Sequence, residues 1–169
     1  MRALVLGGAA CLWDDLRAFH ELKIPVDTVI AVNDAGWIYP HRIDHWVTLH
    51  PEHFDVWEQR RAERGGNGDY VRWSNKDELA AAFDRRARAW GSGSSGLLAV
   101  AVAIDSLSSE SVWLCGIPMD EQPHFFGGRE WTGWKAHRET WERAVERMRG
   151  RVHSMSGWTR ELLDPERAA

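Results

Sequence analysis

Apolar positions along this chain alternate between two kinds of pattern. Residues 2–6, "RALVL", form a short, nearly continuous apolar run closed by Gly7, which predicts a strand buried on both faces. Behind it, Leu12, Leu16, Phe19 and Leu22 recur at helical spacing in "LWDDLRAFHELK". "VDTVIAVN" predicts a second strand, closed by the polar pair Asn33 and Asp34, and "IDHWVTLHP" a third that Pro51 ends. A polar helix over 52–64, a glycine-rich turn at 65–68 and a short extended piece, "DYVRW", come next.

Residues 76–90, "KDELAAAFDRRARAW", are rich in good helix formers and predict a helix. After the small-residue run at 91–96, "LLAVAVAIDSL" is apolar on nearly every side, so it predicts a buried helix whose alanines allow close packing on a sheet. "SVWLCGIP" reads as a fourth core strand. "WKAHRETWERAVERMRG" then places Trp134, Trp141, Val145 and Met148 on one helical face, with Gly150 as the C-cap, and "RVHSMSG" adds an edge strand.

Strands that alternate with helices, each strand almost continuously apolar, predict a parallel sheet covered on both faces. The expected fold is α/β, a Rossmann-like three-layer sandwich with a mostly parallel sheet. One domain is expected over 1–163, with 164–169 a disordered tail.

Composition narrows the picture. The chain has 169 residues, 44% hydrophobic and 27% charged, enough to bury a core without disulfide or metal staples. No apolar run reaches the roughly 18 to 20 residues of a membrane span, and the glycines in "MRALVLGGAACL" favour a buried first strand over a leader peptide. Cys11 and Cys115 cannot make a disulfide framework, so both are expected to be reduced, in a cytoplasmic protein. A net charge of -4 argues against general nucleic-acid binding, which needs a basic surface. The 11 tryptophans are expected to close the core, and the Trp-rich C-terminal helix is a candidate homodimer surface.

In an open parallel sheet, ligands bind beyond the carboxyl ends of the strands, where loops lead into helix N-termini. That rule selects the loops 7–11, 33–36, 50–53 and 116–120, together with 91–96, which also opens a helix. Gly7 and Gly8 suit either a close backbone approach to a ligand or a tight turn. Asn33 and Asp34 suit ribose hydroxyls or a base edge, and equally a helix cap. His41, His45, His50 and His53 form a His-dense stretch whose spacing matches no closed zinc site. His124, in "QPHFFGG", stands close to where a substrate would sit and is a candidate for acid/base work.

Three stretches, "MRALVLGGAACLWDDL", "DTVIAVNDAGWIYPHRIDHWVTLHPEHF" and "SSGLLAVAVAIDSLSSESVWLCGIPMD", together resemble the small bacterial sialyltransferases with a single Rossmann-like domain. They also resemble the related MptE-like 6-hydroxymethylpterin diphosphokinases. The likeness covers roughly residues 1–55 and 92–120, and its most specific part is Ser-Gly followed by an alanine-rich helix and a strand. It implies that Gly7, Gly8 and Ala9 approach a nucleotide through their backbone and that Asn33 contacts the donor. It further implies that Ser94, Ser95 and Gly96 hold phosphate or ribose, and that His50 occupies a polar position before Pro51. The sequence departs from the family pattern at Ala9, Ala10 and Cys11, which replace Gly-Pro-Ser, at Asp120, displaced by two positions in "GIPMD", and at Gly128, where the sialyltransferases carry a catalytic histidine. His124 is the candidate substitute.

The function these features imply is transfer of a glycosyl group from a nucleotide or nucleotide-sugar donor. The loop amides and Ser94 and Ser95 would stabilise the leaving phosphate, and His124 or His50 would take the acceptor proton. The alternatives are a non-catalytic nucleotide-binding or interaction module of the same fold, and a diphosphokinase in which Asp34 and Asp120 hold Mg²⁺ beside the phosphates.

Overall fold

The computed structural model describes residues 1–91, 93–124 and 132–168. Seven strands among them form one sheet: β1 (Arg2–Leu6), β2 (Thr28–Val32), β3 (His45–Val47), β4 (Val71–Ser74), β5 (Arg85–Arg86), β6 (Ser111–Cys115) and β7 (Val152–Ser154). Their order is β5-β4-β3-β2-β1-β6-β7, and every pairing is parallel. The architecture is therefore the expected Rossmann-like α/β sandwich, with the sheet wholly parallel. No helix among the described residues is long and apolar enough to cross a membrane.

Alternation along the strands builds the two halves of the core. Leu4 and Leu6 of β1 face α1 (Leu12–Glu21), α2 (Ala35–Ile38) and α3 (Phe54–Glu63), where they meet Leu12, Leu16, Phe19, Trp37, Phe54 and Trp57. Ala3 and Val5 face the opposite layer, made of α4 (Ser95–Ala101), α5 (Trp134–Met148) and α6 (Gly157–Leu163). Each large apolar side chain so buried contributes about 1.5–3 kcal/mol of transfer free energy. Trp46, Trp57, Trp73, Trp113 and Trp141 all belong to these cores, as expected of the indoles. Gly36 has a specific role here: a Cβ on it would fall 1.9 Å from Cε2 of Trp46.

Two local expectations are corrected. Residues 76–90 do not form a helix. Short 3-10 turns at Asp77–Ala82, broken at Leu79 (φ -121°, ψ 29°), lead into edge strand β5. The segment has helix propensity but no apolar stripe to bury, and propensity alone does not hold a short helix in water. Pairing with β4 prevails instead: Ala87 N–H donates to Ser74 C=O at 2.8 Å, and Asp84 accepts both the Arg72 backbone N–H at 2.8 Å and its guanidinium at 2.9 Å. Leu22, the last residue of the apolar series on α1, is 40% exposed and lies outside the core. Toward the end of the described residues, α7 (Pro165–Ala168) makes one helical turn.

Arg61 of α3 is fully buried. It donates to the carbonyls of Gly36 (2.7 Å), Tyr39 (3.0 Å), His41 (2.9 Å) and Asn67 (3.0 Å), and also to Asn67 Oδ1. Carbonyl oxygens, not a carboxylate, satisfy this guanidinium, and it fastens the loop between α2 and β3 to α3.

Candidate functional site

Strands β1 and β6 are neighbours, but the chain leaves them toward opposite faces, β1 into α1 and β6 toward α5. A crevice opens at such a reversal because the two departing connections move apart. A cavity of about 250 Å³ lies there. Gly7, Gly8 and Ala9 line it from β1, Asn33 from β2, His50 from β3, and Gly116, Met119, Asp120, Gln122 and His124 from the connection after β6. Gly93, Ser94, Ser95 and Gly96 close it from the start of α4, and His137 from α5. Nine of the ten sequence-predicted residues thus share one cavity; Asp34 does not line it. Asp34 instead accepts the indole N–H of Trp37 at 3.1 Å, and its side chain makes no helix-cap bond.

The floor is built of glycine backbone. Gly7 N–H donates to Cys115 C=O at 2.8 Å, and Ala9 N–H to Gly116 C=O at 3.2 Å. A Cβ on Gly7 would lie 2.3 Å from Gly116 O, and one on Gly116, whose φ is +72°, would lie 2.6 Å from Gly7 O. Only a pair lacking Cβ atoms lets these strand ends meet so closely. The connection after β6 then folds back: Ala10 N–H donates to Pro123 C=O at 2.9 Å, and His124 pairs with Ala9 in an antiparallel bridge. Beneath this floor, buried Asp15 accepts Gly116 N–H and Ser156 O–H, both at 2.8 Å. Burial pushes its carboxyl above the usual range, and burial likewise raises the Cys11 thiol to about 12. Cys11 is consequently a protonated thiol, not a nucleophile.

The serine wall is fixed by bonds to the rest of the fold. Ser94 caps α4, its Oγ accepting Leu97 N–H at 3.2 Å and the Trp141 indole N–H at 3.1 Å. Ser95 Oγ accepts Leu49 N–H at 3.1 Å. With both lone pairs of Ser94 Oγ taken by donors, its remaining capacity is its own O–H. The Ser95 and Gly96 amides occupy the first turn of α4, where the helix itself supplies no acceptor. Gly96 also lacks room for a side chain, since a Cβ would sit 3.3 Å from Ile117 Cγ2.

Asn33 completes the opposite wall in a left-handed conformation, φ +49°, one that asparagine tolerates better than most residues. Its C=O accepts the Trp46 indole N–H at 2.8 Å, and its Oδ1 is 2.7 Å from Thr48 Oγ1. Thr48 Oγ1 accepts His50 N–H at 2.9 Å, so its own hydrogen goes to Asn33 Oδ1 and leaves Asn33 Nδ2 to donate. Met119 also has a positive φ, +50°. Two of the four left-handed non-glycine residues among those described therefore stand in this cavity wall, where strained backbone tends to collect at functional sites.

Three histidines from three elements reach the cavity. The His50 side chain is 59% exposed, with Nδ1 3.4 Å from Glu52 Oε1. His124 ends the folded-back connection. His137, on the first turn of α5, is half-buried, and burial lowers its pKa below the ordinary histidine value. Sequence reasoning missed His137, although the signal was present: 137, 141, 144 and 148 fall on one helical face, so His137 continues the buried stripe of Trp141, Ala144 and Met148. The family histidine's position, Gly128, lies outside the described residues. Among the described residues no three His, Cys, Asp or Glu side chains converge as metal donors, and His41 and His45 lie away from the cavity.

Among apolar and glycine surfaces, the cavity wall carries a group of hydrogen-bond donors: the residues Ser94 and Ser95, the opening turn of α4, and Asn33. Arranged this way, it suits an acceptor-rich anion. No family model matches this chain, and no curated protein or solved structure is significantly similar to it.

Proposed function

We propose that the cavity binds the phosphate-bearing part of a nucleotide or nucleotide-activated donor, and that the protein is a transferase of the glycosyltransferase-like kind. The observation that carries this reading is the donor wall at the reversal between β1 and β6. Ser94, the lone pairs of its Oγ already filled, lines the same cavity as Ser95 and Gly96 at the start of α4 and Asn33. Such a wall is matched by phosphate oxygens, which only accept. In transfer, the bond between the donor carbon and its phosphate oxygen breaks as the acceptor oxygen bonds to that carbon. Charge then grows on the phosphate, where fixed donors stabilise it, and a cavity histidine takes the acceptor proton.

The diphosphokinase alternative fits less well. It asks Asp34 and Asp120 to share a divalent cation, but Asp34 is held by Trp37 away from the cavity, and Asp120 binds Gln122 N–H at 3.1 Å. Among the described residues the carboxylates do not form a cage for the ion.

A thermal-shift series against nucleoside mono-, di- and triphosphates and nucleotide sugars tests the reading, because ligands of the native state raise Tm by mass action. Asn33→Asp is the control variant: it keeps the Thr48 contact and tolerates positive φ, yet places a negative charge against a phosphate. The expected result is a nucleotide-selective rise in Tm that Asn33→Asp abolishes. No rise with any nucleotide overturns the reading, and a rise without group transfer identifies a non-catalytic binding module.

A further inference from the structure

We infer that a recess at the carboxyl ends of β4 and β5 is a second binding site, whatever the first cavity binds, and that its ligand is a sugar carrying a phosphate or a carboxylate. The recess measures about 370 Å³ and is lined, among the described residues, by Asn75, Arg86, Ala87, Arg88 and Ala89. It stands on the same edge of the sheet as the cavity: Val47 of β3 pairs with Trp73 of β4, so cavity residue His50 and recess residue Asn75 follow neighbouring strands. Open parallel sheets bind their ligands along this edge.

Orphaned polar atoms mark the place. Asn75 Oδ1 is buried and has no hydrogen-bond partner among the described residues, and the same holds for Oγ of Ser74, a residue wholly out of contact with solvent. Buried polar atoms are nearly always paired, so two consecutive orphans at one strand end call for a partner that the chain itself does not supply. Ser74 is also the sheet partner of Arg86, so its hydroxyl and that guanidinium leave the sheet on one face.

Charge names the first half of the ligand. Buried Ala87 and half-buried Ala89 turn into the core, so strand alternation sends Arg86 and Arg88 to the other side. Asp77 Oδ2 holds Arg86 Nη2 at 2.7 Å and offsets its charge. Arg88 is exposed and makes no ion pair among the described residues. Lys76 follows Asn75 directly, and Arg85 lies over the Trp73 ring at 5.6 Å, so this edge is locally basic in a chain of net charge -4. A guanidinium recognises a carboxylate or a phosphate through two parallel N–H bonds. The second half follows from Asn75 Oδ1, which only accepts and therefore asks the ligand for a donor. An ammonium donor would stand among guanidiniums, whereas a hydroxyl carries no such penalty. An anion flanked by hydroxyls meets both demands; an inorganic anion meets only the arginine, and a neutral sugar only the asparagine.

Chemical-shift titrations of the isotope-labelled full chain read the two places separately, through the side-chain amide of Asn75 in the recess and that of Asn33 in the cavity. Glucose 6-phosphate and glucuronate are the probes, with glucose and inorganic phosphate as controls. At least one anionic sugar is expected to shift the Asn75 amide and the Arg88 Nε–H saturably, and which of them binds tighter identifies the anion. Glucose and inorganic phosphate should each bind at least about tenfold more weakly, since each lacks one of the two contacts. Arg88→Gln, a change at an exposed side chain, should weaken binding of the anionic sugar by about tenfold or more. Asn75→Asp should abolish it by setting a negative charge against the anion. Anionic sugars that leave the Asn75 amide unmoved, that move only Asn33, or that bind Arg88→Gln as tightly as the wild type overturn the site. Inorganic phosphate or glucose binding there as tightly as the anionic sugars overturns the ligand class.

Discussion

Ser95 Oγ accepts the backbone N–H of Leu49 at 3.1 Å, a bond that spans 46 residues of chain and ties the first turn of α4 to the end of β3. The residue has two duties, one toward the fold and one toward the cavity. Ser95→Ala leaves the Leu49 amide without its partner at a part-buried position, at a cost of about 1–3 kcal/mol. We expect a lower urea midpoint with unchanged slope, and loss of ligand-induced stabilisation beyond what the lower midpoint explains. An unchanged midpoint would show that water replaces the hydroxyl and that the bond is dispensable.

Gly7 and Gly116 exclude side chains from the same gap. Gly7→Ala drives a methyl to 2.3 Å from Gly116 O and 2.4 Å from Ile117 Cγ1; Gly116→Ala meets Gly7 O at 2.6 Å and must also hold φ at +72°. Overpacking and left-handed strain together predict a loss of about 2 kcal/mol or more for each. Because one displacement of the strand ends would relieve both clashes, the double variant should lose less than the sum of the two single losses. Denaturant titration of all three variants measures that difference directly, and strict additivity would show that the two ends move independently.

The parts of this molecule that were legible in its sequence are those set by short-range pattern. Continuous apolar runs marked β1, β2 and β6, and glycines, Asx residues and serines at their carboxyl ends marked the cavity. The placement of Asp34, the fate of 76–90 and the importance of Arg61 and His137 were not read, for physical reasons. A carboxylate beside a cavity motif is as easily captured by a neighbouring indole, as Trp37 captures Asp34. Helix propensity at 77–82 gave way to an edge pairing set by residues more than ten positions away, Arg72 with Asp84. Arg61 reads as one more charge in "EQRRAER" until the fold curls four carbonyls around it.

Arg61 yields a prediction that contrasts two substitutions. Lysine keeps the charge but offers three donors from a single atom, which cannot reach carbonyls spread around a planar fork. Arg61→Lys is expected to cost about 2 kcal/mol or more by leaving buried acceptors unpaired, and Arg61→Met at least as much. Tm from circular dichroism ranks the three proteins. A methionine variant as stable as the wild type would mean that desolvating the guanidinium costs as much as its bonds return.

Acid sensitivity should arise first at His45. Its Nδ1 accepts the Trp73 indole N–H at 3.1 Å, which requires an unprotonated nitrogen, and burial, the largest influence, lowers its pKa from 6.5. The native state therefore binds this proton less readily than the unfolded chain. Stability attributable to His45 is complete above pH 6.5 and is lost as pH falls below it, through the lowered folded-state value. Asp84 behaves similarly at a more acidic range: held down chiefly by hydrogen bonds from Arg72, its contribution is present above 3.8 and lost below. Two separate acid phases are thus expected in a plot of unfolding free energy against pH. His45→Asn offers Trp73 an acceptor near the position of Nδ1 that does not titrate, so this variant should lose the upper phase and keep the lower one. Persistence of the upper phase in His45→Asn would assign it to another histidine, with cavity residue His137, whose pKa burial also lowers, the next to test.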